Sequence, residues 1–564
     1  MKFQEFVYER PDIKRVEEES IQLINQFKQA RSADEQVQLL ESINRLRNKV
    51  STTMDLVYIR HTINTEDSFY RQEQDFMDEI SPVMEGITSK LYEALLESPF
   101  RSELEAKWGP QLFRLAAAQV KTYDDAILPL LEKENKLTSQ YTQLIASAQI
   151  PFNGQQLTLA QLEPYMEAAN RETRKEAVTA RFQFFSDHEE QFDSLFDELV
   201  KVRTEIARAL GYKNFVELGY YRMARVDYDA DMVREFRRQV KEVIVPMAVE
   251  LRKRQKERIG VDSLKFYDEA YHFTSGNAKP KGDSNWIVKN GEQMYRELSK
   301  ETDEFFQFML TRNLMDLEAK KGKAGGGYCT YMEDFKSPFI FSNFNGTSGD
   351  IDVLTHEAGH AFQVYSSRHY DIPEYLWPTY ESCEIHSMSM EFLTWPWMEL
   401  FFKEETEKYK FAHLSSAILF LPYGVAVDEF QHVIYQTPDM TPAERKSAWK
   451  EIEKIYLPDR DYDGMDYLER GGFWQRQGHI YESPFYYIDY TLAQVCAFQF
   501  WQRAREEKKQ AWEDYLTICQ AGGSLSFTEI VKKARLCSPF EKGCIDKVMT
   551  PIKDWLDAVD DQAL

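Results

Sequence analysis

Two histidines four residues apart, with a glutamate beside the first, stand at His356-Glu357-Ala358-Gly359-His360. On a helix, positions i and i+4 share a face, so both imidazoles can reach one metal ion. Glu357 is turned by about 100° from His356. There its carboxylate can take a proton from a water on the metal instead of binding the metal itself. Two imidazole ligands, an open coordination position and an adjacent base are the parts of a zinc site that hydrolyses amide bonds. The competing reading is an ordinary helix with two satisfied histidines, and the flanking sequence argues against it. Phe339 to Asn345 reads as a strand of alternating character, and Gly346-Thr347-Ser348-Gly349-Asp350 supplies a turn and helix-start chemistry. An apolar-periodic helix then runs from Ile351 to about Tyr365.

A catalytic zinc needs a third protein ligand. A second helix, over about 380–393, follows the Pro-containing loop Trp377-Pro378-Thr379-Tyr380. Glu384 on this helix is the preferred ligand, and His386, on a different face, is its rival. Glu381 and Glu391 share roughly the face of Glu384, where one could orient an imidazole or both could be solvated surface. Cys383, next to Glu384, reads as an inert packed thiol. Further on, Gly471 to Gly478 reads as a mobile glycine-rich loop closed by His479. Tyr487 and Tyr490, about one helical turn apart, could reach one point in a cleft. Imidazole and phenol donors there can stabilise the oxyanion of a tetrahedral intermediate. Plain core packing is the competing reading for each tyrosine, and it is favoured for Tyr486.

These segments resemble the oligoendopeptidase F group of thimet-type zinc peptidases, close to the branch that includes the PZ-peptidases. The resemblance is carried by His356 to Gln363, Glu381 to Phe392, Phe341 to Thr347, Arg476 to Tyr490 and Leu210 to Phe215. It implies one zinc ion held by His356, His360 and Glu384, with Glu357 as general base. It also implies transition-state roles for His479 and for tyrosines after it, Tyr490 and Tyr487. The fold it implies is two helical lobes around a deep channel that admits unfolded oligopeptides and excludes folded proteins, hence a role in peptide clearance.

Helical periodicity dominates the chain that must position these residues. Apolar residues recur at three- and four-residue steps over 16–48, 69–97, 101–147, 156–181 and 184–210, with a turn near Pro151-Phe152-Asn153-Gly154. The pattern returns over 229–258, 289–318, 399–416, 441–455, 490–521, 527–535 and 541–558. The expected architecture is mainly α, with an N-terminal helical lobe over 1–190 and a catalytic lobe over 191–564. A small sheet at about 326–345 lies beside the motif helix. Thr274 to Asp283 reads as an exposed loop or hinge. Tyr328 to Met332 is a candidate edge strand that could hold an extended peptide by main-chain hydrogen bonds; a flexible loop before a structural strand is the alternative. The glycines between Gly322 and Gly327 fit no phosphate-binding fingerprint, which disfavours a nucleotide-driven chaperone or ATPase.

Charge and cysteine usage narrow the partners. A formal charge of −24 over 564 residues argues against nucleic acid or an anionic membrane, and suits peptide substrates or serves solubility alone. The charged stretch Met1 to Arg10 has no apolar signal core, and no segment is expected to approach the ~18 apolar residues of a membrane span. Six cysteines without a CxxC pair point to a cytoplasmic protein with reduced thiols. Two other functions stay open. A dipeptidyl-carboxypeptidase-like exopeptidase needs a cation for a terminal carboxylate, and Arg470 or Arg476 could supply it. A non-catalytic zinc-containing peptide-binding protein would need no base, so Glu357 argues against it.

Overall fold

A computed structural model describes all 564 residues. Helices dominate, as the periodicity predicts, and the strands are confined to two small sheets. Capping residues break the long runs. The helix expected over 16–48 is two, Ile13–Gln29 and Ala33–Ile63, and Ser32 caps the second by accepting from Glu35 N at 3.2 Å. The run over 101–147 becomes Arg101–Trp108, Gln111–Gln119 and Leu128–Ala146, because Gly109, at φ 82°, and Pro110 end the first. The turn near Pro151 is a hairpin. Strands β1 (Ile150–Phe152) and β2 (Gln155–Leu157) pair antiparallel around Asn153 and Gly154. Both lie at positive φ, 49° and 73°, as a two-residue type I′ turn requires.

The second sheet carries the site. Its order is β3 (Met315–Glu318), β5 (Ser337–Phe344), β4 (Tyr328–Met332), with β3 parallel and β4 antiparallel to the central β5. β3 falls inside the 289–318 stretch read as helix. Asn313, in the left-handed region, ends the helix Lys300–Arg312, and the four residues that follow are too few for periodicity to tell strand from helix. β5 does not alternate; every residue but Asn343 is buried, the pattern of a strand covered on both faces. β4, like β3, is an outer strand. The motif helix (Gly349–Ser367) packs across β4 and β5 and starts two residues earlier than its periodicity suggests, at a turn that the Asp350 carboxylate ties by accepting from Asn345 N and Gly346 N at 2.8 and 2.9 Å.

The long central helix, Thr406–Gln436, runs well past the 399–416 expected. Contrary to the expectation that no segment is apolar and long enough to cross a bilayer, Glu399–Gln436 is, and 72% of its apolar window is buried in this protein. It is a core helix. Around it 116 buried apolar residues, from Phe3 to Leu556, form one continuous core. The N-terminal helices have a smaller core of 15, which Ile372 and Tyr375 join from the loop between the two site helices.

Arg203, on the helix Glu189–Ala209 and 0% exposed, ties early and late parts of the chain together. It donates to Glu134 Oε1 at 2.6 Å, to Tyr435 Oη at 2.9 Å and to the Ile480 and Tyr481 carbonyls at 3.4 and 2.5 Å. Without Arg203, Glu134 keeps only Arg222, which donates to it at 2.8 Å, while the buried Tyr435 hydroxyl and the Tyr481 carbonyl lose this donor. Arg203→Met should therefore lower the unfolding free energy by about 3 kcal/mol, read as a shift in the urea midpoint at constant slope. An unchanged midpoint would show that the cluster adds nothing.

Candidate metal centre and substrate cleft

The motif helix and the second site helix (Tyr380–Leu393) cross at Gly359. A Cβ there would stand 2.7 Å from both His386 O and Ser387 Cα, so only glycine permits this approach. The approach brings His356 Nε2 and His360 Nε2 to 3.2 and 3.3 Å from one oxygen of Glu384. The three ligand atoms lie within 4.8 Å of one another and could hold a divalent metal ion with a coordination position left open. Glu384 is fully buried, and both its oxygens are fixed: Ser387 Oγ donates to Oε2 at 2.7 Å and the Tyr486 hydroxyl donates to Oε1. Burial opposes its ionisation, but His360 and His356 outweigh burial and hold the carboxyl well below its usual range. His386 stays outside the cluster. Its Nδ1 donates to Ser382 O at 2.7 Å, and burial holds its imidazole down at about 4, so it is a neutral packed histidine.

The orientation of His356 is set from behind. Trp395 Nε1 donates to His413 Nδ1 at 2.9 Å, and an indole can only donate, so His413 carries its proton on Nε2. That proton goes to Glu391 Oε2 at 2.9 Å, and Glu391 Oε1 accepts from His356 Nδ1 at 2.7 Å. His356 Nε2 is left to face the metal position. Of the two glutamates that share the face of Glu384, Glu391 thus reaches a ligand. Glu381, 1% exposed, does not; burial and the nearby Asp489 push its carboxyl well up, with Arg225 opposing.

Glu357 lines the cleft at 5% exposure, and its Oε2 is buried with no hydrogen-bond partner. Burial raises its pKa, with His356 and His360 opposing. Such an orphaned acceptor beside an open coordination position suits a base that waits for a water. Cys383 also lines the cleft; its thiol donates to Pro378 O at 3.4 Å, and burial pushes it far up, so it is an inert thiol.

The cleft, about 580 Å³, has walls from distant parts of the chain: Tyr92, Gln119 and Tyr221 on one side, Tyr328 to Thr330 of edge strand β4 on another. No lysine or arginine lines it. Arg470 is bidentate to Glu189 at 2.7 and 2.9 Å, and Arg476 lies over the rings of Phe473 and Tyr423 at 4.4 and 5.5 Å. Neither is a cleft residue, so the structure offers no cation there for a terminal carboxylate.

His479 and Tyr490 do reach the cleft, with His479 Nε2 3.0 Å from the Tyr490 hydroxyl. Tyr423 donates to Gln477 Oε1 at 2.9 Å, which turns the Gln477 amide so that its Nε2 donates to His479 Nδ1 at 2.8 Å. His479 Nε2 therefore carries the proton and donates to Tyr490, whose own O–H points elsewhere, on the side where the Tyr486 hydroxyl lies beside it. Burial holds His479 down at about 4, a neutral donor at physiological pH. Tyr487 is not brought to the cleft; its ring packs behind His479 on Phe420 and Tyr423 at 5.7 and 5.8 Å. Tyr486, favoured as packing from the sequence, lines the cleft and holds Glu384. Tyr486 and Tyr490 are four residues apart with rings 5.1 Å from each other, the same face-sharing spacing that marks the histidine pair. The glycines before His479 belong to a packed segment rather than a loose loop: a Cβ on Gly471, at φ 92°, would stand 2.1 Å from Lys446 O, and one on Gly472 would enter the Tyr467 ring.

A model of peptidase family M3 matches residues 164–550, and one of the peptidase M3 N-terminal domain matches residues 3–123. Oligopeptidase PepF of Bacillus subtilis (strain 168) is 22% identical over 562 residues, 92% of this chain and 80% of the relative. An oligoendopeptidase F homolog of Borreliella burgdorferi is 24% identical over 429 residues, 70% of this chain and 69% of the relative. Among solved structures, PZ peptidase A with an inhibitor is 63% identical, with 100% of both chains covered and a TM-score of 0.99. Oligoendopeptidase-F from Enterococcus faecium, 14% identical with a TM-score of 0.65 over 98% of this chain and 97% of its own, shares the fold.

Two measurements test this geometry. Glu391→Gln should weaken metal binding about 10- to 100-fold, and Gly359→Ala should weaken it too by driving the ligand helices apart; unchanged affinity in both would remove the orientation argument. Without metal, burial lowers the His356 pKa, but Glu384 and Glu391 outweigh it and hold the imidazole well above its ordinary value, so metal must displace a proton. Affinity should then fall by about tenfold per unit as pH drops below that raised pKa, and chelator competition should find this slope already present above pH ~6.5, the ordinary imidazole value.

Proposed function

The chain belongs to peptidase family M3, within its oligoendopeptidase F group, and on that premise we propose that it is a zinc-dependent endopeptidase cutting internal bonds of short unfolded oligopeptides. One observation carries the proposal: the unpartnered carboxylate oxygen of Glu357 beside a two-histidine, one-glutamate cluster in a cleft. A structural metal site or a peptide-binding scaffold has no use for such a base. Two imidazole nitrogens and one carboxylate oxygen form a donor set that fits zinc. When bound, zinc would act as a Lewis acid and acidify water at the site.

The chain's own residues do the rest. His356, His360 and Glu384 hold the ion, and Glu391 keeps His356 turned toward it. An extended peptide lies along the free edge of β4, hydrogen-bonded through its main chain. Glu357 takes the proton of the attacking water and delivers it to the leaving nitrogen. Tyr490, its O–H turned away from His479, donates to the developing oxyanion. Tyr486 keeps Glu384 in place, and Tyr487 supports the His479 ring from behind. The absence of lysine and arginine from the lining supports internal cleavage over carboxypeptidase action, since nothing positive stands ready for a chain end. Six free cysteines suit a reducing, cytoplasmic setting.

Mass spectrometry of a mixed oligopeptide digest should show internal cuts with zinc-loaded protein and none after chelation; cuts at a fixed distance from one terminus would move the protein to the exopeptidases. Glu357→Gln should keep its zinc and lose activity by ~10³ or more, and near-normal turnover at full zinc occupancy would sink the base assignment. Tyr490→Phe should lower kcat by about 10² with little change in KM; a change in KM alone would assign Tyr490 to binding instead.

A further inference from the structure

Behind the C-terminal end of the second site helix lies another cavity, about 560 Å³, close in size to the cleft. Trp395, Trp501, Trp512 and Trp555 form its walls with Phe392 and Leu298. Trp501 is 1% exposed, and its indole N–H is buried without an acceptor. Four cations, Lys410, Arg505, Lys508 and Lys509, border this apolar interior, against a single carboxylate, Glu407, which is already paired with Lys410 at 2.9 Å. Lys509 lies 3.8 Å from Glu513. Arg505 and Lys508 pair with no carboxylate; their charges rest over the Trp501 and Trp397 rings at 4.7 and 4.5 Å. In a chain of net charge −24, two unpaired cations at the edge of a tryptophan-lined cavity are complementary to an anion with an apolar body.

One wall also belongs to the hydrogen-bond chain behind the metal centre. Trp395 packs on Trp501 and Trp555 at 6.2 and 5.8 Å, while its N–H fixes His413 and, through Glu391, the orientation of His356. A ligand pressing on this ring bears on that hydrogen bond. We propose that the cavity binds a small apolar monocarboxylate, its body among the four tryptophans and its carboxylate on Arg505 and Lys508, and that occupancy is felt at the metal centre through Trp395. Only the link to the metal rests on the function proposed above; the binding site does not. A free aromatic acid and the C-terminus of a short peptide ending in an apolar residue present the same chemistry.

Calorimetric titration of the zinc-loaded full chain tests the site, with 4-phenylbutyrate, N-acetylglycyl-phenylalanine and uncharged 4-phenylbutanol as probes. At least one acid should bind, with the alcohol weaker by about tenfold or more. Arg505→Ala with Lys508→Ala should cost the acid a similar factor and leave basal peptidase activity unchanged. The tighter acid identifies the source. Binding of neither acid at millimolar concentration, equal binding of the alcohol, or indifference to the double substitution overturns the site. So does a dimer in sedimentation velocity that buries this face and is not displaced by the acids.

The link is read as zinc affinity, by chelator competition with and without 4-phenylbutyrate. It should shift by about threefold or more, and reciprocity requires the same factor between the acid's affinities for zinc-loaded and zinc-free protein. Trp395→Phe, which keeps a ring and removes the N–H, should retain binding and lose the shift. No shift in the wild type overturns the link while the binding site stands. Failure of the metal assignment would show separately, as absence of zinc binding without any acid.

Discussion

At Gly359 two helices approach more closely than a methyl group allows, and the cluster of His356, His360 and Glu384 exists because of that approach. The contact fixes where Glu384 stands against His356 and His360, and it leaves no room for adjustment, since the obstructing atoms are backbone. The motif helix is in turn held by β4 and β5, and its start by the Asp350 carboxylate. The residue that the HExxH pattern leaves free is here as constrained as the two histidines.

Direction is the second constraint. Imidazoles can present either nitrogen, and carboxamides can turn over, so a site built from them needs something that cannot reverse. Behind His356 that group is the Trp395 indole, which only donates and so settles His413, Glu391 and His356 in sequence. Behind Tyr490 the Tyr423 hydroxyl, Gln477 and His479 form a second such chain, although a phenol, unlike an indole, can donate or accept. Both sides of the cleft are thus backed by hydrogen-bond chains, in unrelated parts of the chain, and only the one behind His356 ends on a donor-only group.

The sequence makes some of this legible and hides the rest for physical reasons. The spacing of His356 and His360 is a local helical property, so one pentapeptide reports it. Mainly α architecture follows from periodicity that persists over hundreds of residues, and β5 before the motif is marked by its apolar run. β3 escapes because four residues carry no period, and the breaks at Ser32 and Gly109 escape because apolar spacing continues across them. Glu391 stands in register with Glu384 and so could be suspected, whereas His413 and Trp395 meet it only through tertiary packing, for which no spacing gives a signal. Tyr487 and Tyr490 look alike one helical turn apart, but the cleft lies on the face that Tyr490 shares with Tyr486.

Arg203 gives the assembly an order in time. It waits beside Glu134 for the carbonyls of residues 480 and 481, which leave the ribosome almost three hundred residues later. The candidate ligands His356, His360 and Glu384 all precede His479, Tyr486 and Tyr490 in the chain, whose segment the arginine grip seats. The cleft is therefore finished only when nearly all of the 564 residues are available, because Tyr486, which holds Glu384, and Tyr490 both come late in the chain.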